Sequence, residues 1–337
     1  MRRFRGSVGW TACFLLAGAA VFCEAGTADE VTGDGYSDMK RRQQGILTGM
    51  PFMANISART FVDDAGRKLY LAKVPTRIVS LAPSITEMLF ALGLDEQIVG
   101  VTEFCDYPAA AKSKAKIGYS NPSVEALVAL RPDLVLAPQE FLRPDLQAKL
   151  EQLKVPTFVL EARTLEAVPL QIQTLGKLLE RSPEANGVAQ TIRRRVEEIQ
   201  ARIKSFPPRR VLYILNSHPL ITVGPGSYIH QMIGLAGGIN VAARAGVAYP
   251  RLSLETVLKE DPEVLVFPVG EVESVSPGEQ QQWRQWNSLS AVKQQRFHEV
   301  SSNLLNRPGP RIVEGLEQLA RAIHPEAFNS TAGTLSP

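Results

Sequence analysis

The sequence predicts an α/β protein of two Rossmann-like lobes joined by a single long backbone helix. Three observations carry this reading. Short apolar strands alternate with amphipathic helices, the pattern of parallel sheets covered on both faces. The segment PSVEALVALRPDLVLAP (122–138) aligns without gaps on LSLETVLKEDPEVLVFP (252–268). One apolar stripe at helical spacing separates the two halves.

Folded structure is expected to begin near Arg59. RTFVDDAGRKLYLAKVP reads as a hairpin, with Phe61-Val62 and Leu69-Tyr70-Leu71 flanking a turn at Asp64-Ala65-Gly66. RIVSLAP is an apolar strand, and SITEMLFALGL a helix that Gly93 ends. Ser84, with Glu87 three positions on, has the spacing of a capping box for that helix. QIVGVT is a strand, PSVEALVALR a helix capped by Ser123, PDLVLAP a strand, LRPDLQAKLEQL a helix and VPTFVL a strand. The pattern returns after residue 208 with RRVLYIL, SYIHQMIGLAGG, LSLETVLKE and PEVLVFP. In the gapless repeat Ser123, Glu125, Pro132 and Pro138 fall on Ser253, Glu255, Pro262 and Pro268, and MLFALG (88–93) is echoed by MIGLAG (232–237). A repeat of this length points to two similar lobes.

Between the halves, Val188, Ile192, Val196, Ile199 and Ile203 form one stripe on a helix of about 22 residues, roughly 33 Å long. Pro207 and Pro208 stop it. A single helix between lobes is a stiff connector that restricts hinge closure to a small angle.

The N-terminus reads as a secretory signal. Arg2, Arg3 and Arg5 precede an apolar run from Val8 to Phe22 that is too short for a comfortable membrane span, and small residues follow, with cleavage expected after Ala25 or Ala28. A lipid anchor through Cys23 is the alternative, disfavoured by the bulky Val21-Phe22 before it. The expected organisation is signal peptide 1–28, disordered tether 29–58, N-terminal lobe 59–182, connecting helix 183–206, C-terminal lobe 207–328 and tail 329–337. Removal of Cys13 and Cys23 leaves Cys105 alone, without a partner for a disulfide.

The 337 residues suffice for two domains, and 45% apolar with 21% charged residues is normal for a globular protein. A net charge of +3, partly from the N-terminal arginines, gives no electrostatic case for nucleic acid. No GxSxG elbow, P-loop or HExxH motif is present, and the four histidines (His218, His230, His298, His324) stand singly, so no catalytic residue, metal site or resident cofactor is expected. The absence of catalytic grammar favours binding. Glu125 and Glu255 each lie in the first turn of a helix two positions after a serine. Such carboxylates stabilise the helix dipole by about 0.3–1 kcal/mol, or, one per lobe, face a two-fold symmetric partner.

RIVSLAPSITEMLFALG, GVTEFCDYP, PSVEALVALRPDLVLAP, ITVGPGSYIHQMIGLAGGINVA and YPRLSLETVLKEDPEVLVF together resemble the periplasmic cobalamin-binding proteins of ABC importers, and more broadly the helical-backbone receptors for cobalamin, haem and ferric siderophores. The resemblance covers about residues 59 to 325. It implies a class III periplasmic binding fold, a monomer, and a metal-chelate ligand in the interlobe cleft, with cobalamin or a related corrinoid first. It also implies one glutamate per lobe, Glu125 and Glu255, docking on the dimeric permease that works with its ATPase. The positions implied for the cleft are Phe104, Tyr119, Tyr249, Asn303 and Arg307. Aromatic faces would pack on a corrin or porphyrin plane, and Arg307 would meet its amide or carboxylate edge.

The sequence departs from that pattern in three places. Tyr119 replaces a Trp, Pro138 stands at an aromatic position and Asn303 replaces an acid. Within transport the rival ligands are haem, with His218 or Tyr119 as axial candidates, and a ferric siderophore, for which the cleft loops offer mainly Arg307 and Arg251 as basic groups. From another class, the rivals are an exported α/β enzyme acting on a tetrapyrrole and a sensor domain without a permease.

Overall fold

The computed structural model describes residues 59–118, 122–271 and 274–329. The expected signal peptide, its cleavage sites, Cys23, the tether, Tyr119 and residues 330–337 of the expected tail lie outside the described residues.

An antiparallel hairpin, β1 (Arg59–Val62) and β2 (Lys68–Leu71), opens the fold. Its turn closes through Gly66 at φ +77°, a conformation glycine adopts without steric cost. There follow β3 (Ile78–Ser80), α1 (Pro83–Ala91), β4 (Ile98–Val101), α2 (Val124–Ala129), β5 (Leu134–Ala137), α3 (Pro144–Gln152), β6 (Thr157–Val159) and α4 (Ala167–Leu178). The connecting helix is α5 (Ser182–Ile203). The second half runs β7 (Arg209–Tyr213), a small hairpin of β8 (Asn216–Ser217) and β9 (Leu220–Ile221), α6 (Tyr228–Leu235), β10 (Gly238–Asn240), α7 (Leu254–Glu260), β11 (Val264–Val269), α8 (Pro277–Trp283), α9 (Ser290–Lys293), β12 (Phe297–Ser301), α10 (Ser302–Leu305), α11 (Ile312–Ile323) and α12 (Glu326–Asn329).

Each half contains one four-stranded parallel sheet, ordered β4-β3-β5-β6 in the first and β10-β7-β11-β12 in the second. The order is the same because the two halves repeat one chain path. The repeat extends to the backbone. Arg131 and Asp261, which follow α2 and α7 at matching positions, both take the left-handed conformation, at φ 46° and 44°. Gly93 and Gly237, at φ 68° and 80°, end α1 and α6 in the same way.

Strand side chains alternate between two cores, as period-2 geometry requires. From the first sheet Ile78, Leu134, Leu136 and Phe158 point to one side, and Val79, Val135, Ala137 and Val159 to the other. From the second sheet Val211, Tyr213, Val264 and Val266 share the first core, while Leu212, Leu265 and Phe267 form a third. The inner core is thus continuous through both lobes, with an outer core capping each sheet. Ile192, Ile199 and Ile203 of α5 are buried in this shared core, and Val188 and Val196 pack against it. Helix α4, not evident in the sequence pattern, packs along α5 so closely that a Cβ on Gly176 would overlap Ala185. Among the described residues no helix is long and apolar enough to cross a membrane.

One expected feature is corrected. Helix α1 starts at Pro83 with Ala82 as N-cap, and no side chain caps it. Ser84 lies inside the helix, so the capping box is absent, and Glu87 turns inward to a tertiary partner.

Candidate ligand cleft

Parallel strands in both sheets deliver their C-terminal loops to a common crevice, where α/β folds place ligands. The loops after β3, β5 and β6 meet those after β7 and β12 around a cavity of about 570 Å³, inside the range of about 300–1,000 Å³ usual for small-molecule sites. Phe104 and Phe141 line it from the first lobe, Tyr228 and Tyr249 from the second. Tyr249 remains 56% exposed. Ile85, Leu160 and Ile229 supply apolar wall.

Through Arg307, which lines the cavity, the crevice adjoins a cluster of charges contributed by both lobes. Arg311, at the start of α11, makes two bonds to the Glu87 carboxylate, with Nε at 2.9 Å and Nη2 at 2.6 Å. Its guanidinium stacks 3.7 Å from the Tyr107 ring centroid. Arg307 donates to Asp106 at 2.5 Å and lies 4.0 Å from Glu87. The acids come from the first lobe and the arginines from the second. Burial pushes the Glu87 carboxyl up against the pull of Arg311 and Arg307. At Asp106 burial also acts upward, but the Arg307 bond and charge outweigh it and leave the carboxyl below its usual range. A paired cluster of this kind is stable only while complete. Removing one partner of a buried pair costs about 3–5 kcal/mol, because a desolvated charge is left behind. Two further contacts join the lobes here. Gly309 packs on the Ser84 backbone, where a Cβ would sit tightly at 3.3 Å, and the Leu165 N–H donates to Gln231 Oε1 at 2.8 Å.

Of the residues expected in the cleft, Phe104, Tyr249, Asn303 and Arg307 line the cavity, and Tyr119 lies outside the described residues. The Arg307 guanidinium is engaged by Asp106 as well as facing the cavity. Pro138 lines the wall without an aromatic face, and Phe141, three residues on, supplies one. His218 does not line the cavity. It is exposed, with Nδ1 3.9 Å from Glu279.

Residues that sequence reasoning missed include Phe141, Tyr228, Glu140, Glu161 and Arg163 on the cavity wall, and Glu87, Asp106 and Arg311 in the ion-pair cluster that Arg307 joins. Glu140 and Glu161 carried a readable signal, since each falls just after a parallel strand. The buried cluster had none, because its partners are 224 and 201 residues apart.

Glu125 and Glu255 are away from the cavity. Each is exposed in the first turn of its helix, behind a serine that accepts from the backbone, Ala126 N–H to Ser123 Oγ and Thr256 N–H to Ser253 Oγ, both at 3.1 Å. Cys105 is buried against the Thr86 and Thr102 hydroxyls, and burial pushes its thiol up, away from the reactive thiolate.

The periplasmic binding protein family matches residues 78–304. The vitamin B12-binding protein of Vibrio cholerae is 31% identical over 245 residues, which is 72% of this chain and 87% of that protein. The uncharacterized ABC transporter substrate-binding lipoprotein YvrC of Bacillus subtilis is 30% identical over 276 residues, 79% of this chain and 86% of its own length. Among solved structures, the periplasmic vitamin B12 binding protein BtuF of V. cholerae superposes with a TM-score of 0.66 at 30% identity, covering 76% of this chain and 99% of that one. The periplasmic heme-binding protein RhuT from Roseiflexus sp. RS-1 does so with 0.66 at 29% identity, covering 74% and 98%. With its two parallel sheets, one connecting helix and a crevice between the sheets' C-terminal ends, the chain belongs to the periplasmic binding protein family, in the class III branch that includes the vitamin B12-binding proteins.

Proposed function

We propose that the chain is the solute-binding component of an ABC importer, taking cobalamin or a related corrinoid into its interlobe cleft and delivering it to the permease. The observation that carries this is the cavity itself, walled by Phe104 and Phe141 from one lobe and Tyr228 and Tyr249 from the other. Aromatic faces on opposite walls suit a flat chelate. The likeness to vitamin B12-binding proteins over most of the chain supports the corrinoid assignment. Phe104, Tyr119, Tyr249, Asn303 and Arg307 form the ligand face in this reading. Glu125 and Glu255 present one carboxylate from each lobe to a two-fold permease. The organisation from signal peptide 1–28 through lobes 59–182 and 207–328, flanking the connector 183–206, belongs to the same proposal, as does a periplasmic location. No chemical step is assigned to the cleft.

The test is calorimetric titration of the purified protein with cyanocobalamin, with haemin and a ferric siderophore in parallel. Stoichiometric submicromolar binding of cyanocobalamin is the expected result. Binding of haemin or the siderophore instead would replace the ligand and keep the transport role. Haem is the second reading, favoured by the likeness to RhuT and by the two tyrosines on the cavity wall, phenols being one class of haem ligand.

A further inference from the structure

Four charged side chains line the cleft among the described residues: Glu140, Glu161, Arg163 and Arg307. Arg307 is not a free cation, because Asp106 holds it at 2.5 Å and the Glu87 carboxylate lies at 4.0 Å. That leaves two carboxylates and the exposed Arg163, all on loops of the first lobe. Glu140 sits in the turn after β5 and Glu161 directly after β6, so adjacent parallel strands bring them to one wall. The Gln139 N–H donates to Glu161 Oε2 at 3.4 Å, which turns that carboxylate toward the Glu140 turn. Although Glu140 is exposed by surface area, enough wall surrounds its carboxyl that burial, and then the neighbouring Glu161 charge, push it up.

With Arg163 set against the two carboxylates the wall keeps a net negative charge, and such a wall treats the rims of flat chelates differently. A rim of carboxamides offers N–H donors to the glutamate oxygens and carbonyl acceptors to any proton they hold. A rim of carboxylates offers only acceptors and negative charge, and like charges set against each other in a desolvated site are strongly unfavourable. Resting on the corrinoid reading above, we propose that Glu140 and Glu161 are specificity-determining residues that select an uncharged, amide-rimmed chelate and reject a carboxylate-rimmed one of the same shape.

The test uses the purified full chain and two ligand pairs that differ at the rim, one member of each carrying the extra negative charge. Cyanocobalamin is compared with its monocarboxylic acid, in which one rim amide is a carboxylate. Haemin is compared with its dimethyl ester. The wild type is expected to bind cyanocobalamin at least about tenfold more tightly than the monocarboxylate, a gap of about 1.4 kcal/mol. Glu140→Gln with Glu161→Gln, which conserve side-chain volume, should narrow that ratio to about threefold or less, and each single variant should narrow it in part. A wild type without preference, or a double variant that keeps the wild-type ratio, overturns the proposal. Failure to bind either corrinoid would refute the corrinoid reading, and the charge selection is then read from the haemin pair. There, preference for the ester that is lost in the double variant supports it, and equal binding of both forms overturns it.

Discussion

The two lobes share a chain path but not a cleft chemistry. Their sheets have the same strand order, α2 and α7 are capped by serines with the same 3.1 Å bond, and both helices end on a left-handed residue. At the cleft they diverge. The first lobe supplies Glu87, Asp106, Glu140 and Glu161, with Arg163 as its one cation on the cavity wall, whereas the second supplies Arg307 and Arg311. The positions kept in common are those where backbone geometry must be satisfied, at caps, helix stops and strand cores. The loops after the strands carry no such constraint and are free to differ. The same division separates Glu125 and Glu255, alike in both lobes, from the cleft residues, which are not.

The largest effect should come from the symmetric pair. Glu125→Ala together with Glu255→Ala is expected to abolish ligand uptake by cells while leaving affinity in solution unchanged. Loss of solution affinity would show that these carboxylates serve the cleft and not a partner. Next is the asymmetric cluster. Glu87→Ala strands Arg311 and should cost about 3–5 kcal/mol of unfolding free energy, read by denaturant titration. Pairing it with Arg311→Met should recover much of that loss. A cost below about 1 kcal/mol, the range of exposed pairs, would mean that the cluster does not tie the lobes together.

Acid offers a finer probe of the same cluster. Because the folded state holds Asp106 below its ordinary value, its stabilisation is fully present above about pH 3.9 and is lost as pH falls through the lower, folded value. Glu87 has the opposite sign. Its raised value means that its contribution is present below about pH 4.3 and lost as pH rises through the folded value. Asp106→Asn should therefore flatten the loss of stability below about pH 4, and a wild-type slope retained in the variant would assign the acid sensitivity elsewhere. The smallest effects test the repeat. Ser123→Ala and Ser253→Ala should each cost about 0.5–2 kcal/mol, and by equal amounts if the two caps are equivalent. Unequal costs would locate where the lobes' environments have drifted apart.

Much of this architecture was legible before any coordinates. The stripe from Val188 to Ile203 announced the connector, and Ile192, Ile199 and Ile203 are indeed its buried face. The gapless alignment of 122–138 on 252–268 announced two similar lobes, and of the positions implied by the family resemblance Phe104, Tyr249, Asn303 and Arg307 line the cavity. Other elements gave no clear pattern. The β8-β9 hairpin has two-residue strands, too short for a periodic signal, and the apolar face of α4 follows VPTFVL without a cap that marks its start.

Glu87 shows the boundary most clearly. Its spacing from Ser84 satisfied the capping rule, yet Pro83 begins the helix one residue earlier, and the carboxylate found an arginine 224 residues away. Features that depend on neighbours within about one or two helical turns could be read from the chain alone: strand runs, helix stripes, caps, stops and the repeat built from them. Folding of the whole chain set which acids meet which arginines, which aromatics share a wall, and that the two glutamates after β5 and β6 line one cavity. Those contacts join residues from distant parts of the chain, and their geometry exists only once the sheets and the shared core have set the lobes together.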